Sequence, residues 1–173
     1  MKQFVIAATL FAALIATALI ATAQEAPINS ALLNHLAGKW QMQGTVGKQP
    51  ATHDFDAEWV LRHHYLRFHE VSRDKNDKGE PQYEATVFIG WNEKTKSYAC
   101  AWLDVYGGLT SESIGVATLK GNELAFVFTN EHGETTFANT FTYDPKTNTW
   151  DNRLDNVVKG AAKPFARFHL TKQ

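Results

Sequence analysis

The chain has 173 residues, with 17 Lys and Arg against 18 Asp and Glu, a formal charge of −1, 12% aromatic residues and one cysteine. That length suits one domain, and the near balance of charge excludes the basic surplus with which a nucleic-acid binder displaces phosphate counterions. The lone Cys100 excludes an internal disulfide, a CxxC redox pair and a multi-cysteine zinc site.

Residues 1–23 read as a signal peptide. Lys2 is followed by an apolar run from Phe4 to Ile20, broken only by Thr9 and Thr17, and then by the small-residue site Ala21-Thr22-Ala23. Cleavage after Ala23 is predicted, with the mature domain, 24–173, delivered to the periplasm or the exterior. The apolar run is shorter than the ~20 residues that span a bilayer, so no stable membrane anchor is expected. In an oxidising compartment an unpaired Cys100 belongs in the interior, and its neighbours Tyr98, Ala99, Ala101 and Trp102 suit a core strand.

From Ile28 to Ala37, Ile28, Leu32, Leu33 and Leu36 recur at helical spacing, with Asn29 or Ser30 as the N-cap. Beyond Gly38 the period changes to two. The strands predicted are Lys39–Val46, Thr52–Leu61, Tyr65–Arg73, Gln82–Trp91, Ser97–Val105, Leu109–Leu119, Glu123–Asn130, Glu134–Tyr143, Thr149–Asn156 and Pro164–Thr171. Turn signals separate them, including Gly47-Lys48-Gln49-Pro50, the polar tip from Asp74 to Glu80, Gly107-Gly108 and Asp144-Pro145. Ten sequential strands joined by short loops would leave hazardous edges as a flat sheet. An all-β, up-and-down antiparallel barrel removes them; a two-sheet sandwich needs long crossovers, and no connection here is long.

The segment Gly38-Lys39-Trp40, at the junction of the helix and the first strand, resembles the opening of lipocalin-type (calycin) barrels. The resemblance implies that an Arg of the last strand, here Arg167, packs across Trp40 at the closed end as a structural cation–π contact. Further motifs follow in order: Glu58-Trp59-Val60-Leu61, Gly90-Trp91-Asn92, Trp102-Leu103-Asp104, Gly107-Gly108 and Ser111-Glu112-Ser113-Ile114-Gly115. Together they resemble a bacterial lipocalin-like family of undetermined function, with Arg62-His63-His64 departing from the glycines usual at that point. The resemblance implies a fold and no activity.

Seven histidines raise the question of a metal. On a strand His63 and His69 would share a face about 20 Å apart, and His53 and His69, as cross-strand neighbours, would form at most a partial site. Zinc needs three or four ligands, so no metal site is expected. Some calycin-like barrels bind haem through one His of the final strand, a place His169 resembles, so haem is the one cofactor weighed; for it, both Arg167 and His169 would have to point inward. No nucleophile elbow, P-loop or GxGxxG occurs, and no catalytic residue is assigned. If the aromatic face lines the barrel, Asp104 stands inside or at the rim with Glu112 on the next strand, and two close carboxylates could do acid/base work. The leading expectation is a monomeric barrel holding a small hydrophobic or amphipathic ligand on Phe55, Trp59, Tyr83, Trp102, Asp104, Glu112 and Phe126. An enzyme or haem protein, and a structural or partner-binding envelope protein, are the alternatives.

Overall fold

The computed structural model describes Ile28 and residues 30–173; the expected signal peptide lies outside the described residues. One short helix, α1 (Ala31–Leu36), leads into ten strands: β1 (Gly38–Val46), β2 (Gln49–Val60), β3 (Tyr65–Ser72), β4 (Glu84–Asn92), β5 (Ser97–Asp104), β6 (Ile114–Lys120), β7 (Glu123–Thr129), β8 (Thr135–Asp144), β9 (Thr149–Val158) and β10 (Ala161–Lys172). Each strand pairs antiparallel with its sequence neighbours, and β1 pairs with β10, so the sheet closes into an up-and-down barrel. Closure gives each strand a neighbour on both sides and leaves no strand at a free edge.

The helix is shorter than its apolar spacing predicts. Ser30 is the N-cap, its Oγ accepting from the Leu33 N–H at 3.3 Å, and Leu32, Leu33 and Leu36 are buried against one end of the barrel. Trp40 follows, fully buried, with its Nε1 donating to the Leu36 carbonyl at 2.8 Å. The cation over its ring is Lys172, 5.1 Å from the centroid, and not Arg167. The register explains the correction: Trp40 lies opposite Lys172, whereas Arg167 lies opposite Thr45. Arg167 is on the outer face, donating to Asp155 Oδ1 at 2.5 Å and to the Leu154 carbonyl at 2.7 Å.

Other segments depart from the expected strands: β2 begins already at Gln49 and β10 at Ala161. Leu61, Arg62 and His63 all take left-handed backbone conformations, with φ of 49°, 58° and 69°, so β2 stops at Val60 and the chain turns there. His63 stacks on Trp59 at 4.0 Å and its carbonyl accepts from the Ile28 N–H at 3.0 Å, which holds this turn against the chain that enters α1. Residues 109–113, expected as the start of a strand, form a loop and a single 3-10 turn at Ser111–Ser113 after Gly107 and Gly108, whose φ values are 70° and 82°.

The half of the barrel under α1 is filled. Phe55, Phe68, Phe141 and Trp150 form a chain of ring contacts, with Phe55 and Phe68 at 4.6 Å. Cys100 is buried on β5 as expected, and burial pushes its thiol up to about 12. Because the thiolate is the reactive species, a disulfide reagent such as Ellman's is expected to leave the native protein unlabelled at pH 8 and to titrate one thiol after unfolding in guanidinium. Rapid labelling of the folded protein would show that the strand pair around Cys100 opens.

Candidate functional site

The opposite half of the barrel is hollow. A cavity of about 680 Å³ opens at the end that carries the β1–β2, β3–β4 and β5–β6 connections, with Gln49 and Pro50, Asp74 and Gln82, and Tyr106 to Gly108 at its mouth. Much of its wall is made by alternation along the strands. On β3, Leu66, Phe68, Glu70 and Ser72 point inward while Arg67, His69 and Val71 point out; on β10, Ala166, Phe168 and Leu170 point inward. Phe128, Phe137 and Leu154 complete the apolar part of the wall.

The ladder between β5 and β6 holds only four residue pairs, from Tyr98 opposite Ala117 to Ala101 opposite Ile114. Trp102, Leu103 and Asp104 therefore pair with β4 and have no partner on β6. The glycine-containing loop after Asp104 and the 3-10 turn at Ser111–Ser113 follow this gap, and Gly107, Gly108, Glu112 and Ser113 line the cavity there.

The central polar feature of the wall is a buried pair. His53 Nδ1 and Glu70 Oε1 are 2.6 Å apart, and each residue is only 5% exposed. The pairing is diagonal across the ladder, since His53 lies opposite Ser72 and Phe55 opposite Glu70. Phe168 packs on the imidazole at 4.9 Å and Tyr83 stacks on it at 5.9 Å. With Nδ1 held by the carboxylate, Nε2 is the ring's remaining hydrogen-bonding atom. Tyr83 is itself fixed by Trp102, whose Nε1 donates to the phenolic oxygen at 2.9 Å. Burial first, and then the charge of Glu70, holds the Tyr83 phenol well above its ordinary range.

Of the residues expected to line the site, Tyr83, Trp102, Asp104 and Glu112 do so. Asp104 sits at the mouth with Oδ1 accepting from the Tyr106 N–H at 2.9 Å, so it also shapes the turn that follows. Glu112 belongs to the 3-10 turn and not to β6. Phe55 and Phe126 are inward, as expected, but fully buried below the cavity in the filled half. Trp59 lies at the helix end, where Nε1 donates to Asn34 Oδ1 at 2.9 Å. Its position was beyond reach of the sequence because alternation fixes the face of a strand and not the height along the axis.

His169 points outward and pairs with Asp151 Oδ1 at 2.7 Å, sharing the outer face with Arg167 as the alternation required. An outward histidine cannot present a ligand to an interior haem. The supposed His53–His69 neighbourhood fails for a related reason: His69 lies opposite Asp56, faces outward and bonds Glu84 Oε1 at 2.8 Å through Nε2. Among the described residues no group of three or more His, Cys, Asp or Glu side chains could hold a metal ion.

His53 and Glu70 were missed as a pair. The signal was present: Glu70 occupies an inward position on a strand whose other inward residues begin Leu66, Phe68, and such a break in apolar alternation marks a buried polar group. The same break occurs at Asn139 and Asn152, where Asn152 Nδ2 donates to Asn139 Oδ1 at 2.5 Å and Asn139 Nδ2 is buried without a partner. Compared with known proteins, the chain matches no family model and no curated sequence.

Proposed function

We propose that this chain is an exported lipocalin-like barrel that binds one small, partly apolar molecule in the open half of its interior. The observation that carries the reading is the 680 Å³ cavity whose largely apolar wall holds one buried polar pair, His53 and Glu70. Ligand pockets have this size and this mixture, with extensive apolar contact for affinity and a few fixed polar groups for orientation. The half-hollow barrel favours binding over a purely structural envelope role, for which a filled interior would serve better. The final strand offers no interior ligand to haem, and binding is assigned without a cofactor.

The neutral fluorophore N-phenyl-1-naphthylamine tests the reading. It is expected to brighten on entering the cavity with a dissociation constant in the micromolar range, and to receive excitation energy from Trp102, the only tryptophan in the cavity wall among the described residues. Trp102→Phe should remove most of the energy transfer, and Ala51→Trp, which places bulk at the mouth, should weaken binding about tenfold. A fluorophore bound equally well by Ala51→Trp would sit elsewhere and refute the assignment. Native mass spectrometry of protein purified from its own source would then identify a retained ligand.

A further inference from the structure

The charge of the cavity wall is one-sided. Glu70, Asp74, Asp104 and Glu112 line it, and no Lys or Arg among the described residues does, although the chain has 17 of these. Some carboxylates elsewhere on the barrel meet cations: Asp54 pairs with Arg73, Glu58 with Arg67, and Asp155 with Arg153 and Arg167. Among the described residues Asp74, Asp104 and Glu112 have no ion-pair partner, and the partner of Glu70 is an imidazole. Glu70 lies deep in the wall, almost wholly removed from solvent, where a carboxylate is costly unless a positive group or hydrogen bonds meet it.

The second property of the wall is aromatic. Seven Phe, Tyr and Trp side chains line the same cavity, including Tyr83, Trp102 and Phe168 beside the buried pair and Tyr106 at the mouth. Aromatic faces carry negative quadrupole potential and attract desolvated cations. A compact divalent ion would need three or more convergent oxygen or nitrogen ligands, and the carboxylates are not grouped that way. The combination fits a cation whose charge is spread over an organic group and whose body is apolar. Burial is the main cause of the raised Tyr83 phenol, and the smaller contributions of Glu70 and Asp104 agree with a negative potential inside the cavity.

We propose that the cavity selects organic cations, protonated or quaternary amines with an aromatic or aliphatic body, the ammonium directed toward Glu70 and the rim carboxylates and the body against the aromatic wall. This rests on the reading of the barrel as a ligand binder and names its ligand class. Nothing in the overall charge of −1 foretells it, because the selection comes from where the carboxylates are placed.

The test compares three probes that share a 1-naphthylmethyl body by isothermal titration calorimetry on the intact protein: (1-naphthylmethyl)trimethylammonium, neutral 1-naphthylmethanol and anionic 1-naphthylacetate. The cation is expected to bind at least tenfold more tightly than the neutral probe and at least a hundredfold more tightly than the anion, with the preference shrinking as salt is raised. In the triple variant Asp74→Asn, Asp104→Asn, Glu112→Gln, the ratio of cation to neutral affinity should fall about tenfold. Its near-ultraviolet circular dichroism reports whether the barrel is intact, and the comparison on the wild-type protein needs no variant. Equal or weaker binding of the cation beside a bound neutral probe overturns the cation proposal and leaves the binding reading standing. Failure of all three probes to bind overturns both.

Discussion

Gly44→Ala is expected to lower the melting temperature by roughly 6–12 °C, a loss of about 3 kcal/mol or more, and to promote aggregation on heating. Gly44 lies on β1 opposite Phe168 of β10, at the seam that closes the barrel. A Cβ placed there would collide with the backbone carbonyl of Arg167 and approach the Phe168 Cα at 2.8 Å. Backbone cannot rotate aside as a side chain can, so β1 and β10 must separate, and separation exposes two strand edges at once. Gly47→Ala is the comparison. Gly47 has φ +60° and nothing within 4 Å of the point a methyl group would occupy, so alanine there costs only the left-handed backbone, about 1 kcal/mol. Thermal melts of the two variants separate collision from lost conformational freedom. Equal, small shifts would show that the seam tolerates a methyl group.

Breaking the buried pair is the other large effect. Glu70→Ala or His53→Ala alone is expected to cost about 3 kcal/mol in urea unfolding, because each leaves a polar partner in the wall without its hydrogen bond. The double variant His53→Leu, Glu70→Leu should recover most of that loss, since two apolar side chains satisfy each other and fill similar space. The recovered protein should nonetheless show a smaller preference for the cationic probe, since Glu70 is gone and only the rim carboxylates remain. If the double variant is as unstable as the singles, the pair holds the barrel together in its own right; if it keeps the preference, the selecting carboxylates are those of the rim.

The strand count, the meander order and the closed barrel were legible in the sequence because each rests on local signals. Alternation such as His53, Phe55, Ala57 on one face fixes which side of a strand is inward, and the turn residues between Asp74 and Glu80 or at Gly107-Gly108 fix where it ends. The inward face of β5, with Tyr98 and Cys100 buried, followed directly. Tyr83, Trp102, Asp104 and Glu112 line the cavity, although Glu112 does so from a 3-10 turn and not from the strand expected for it. Phe55 and Phe126 were on inward faces too and ended in the filled half.

Height along the barrel axis and register across a ladder are properties of the closed sheet, and no local pattern encodes them. Register placed Lys172, and not Arg167, over Trp40, and moved His69 away from His53 while bringing Glu70 to it. It also set Gly44 against the Arg167 carbonyl, a contact between residues more than a hundred positions apart. A ten-stranded barrel with an aromatic inner face therefore follows from the order of residues alone. That one half is packed and the other hollow, and that four carboxylates but no lysine or arginine among the described residues line the hollow half, emerges only on closure. Those outcomes depend on which inward side chains arrive at the same level from strands distant in sequence.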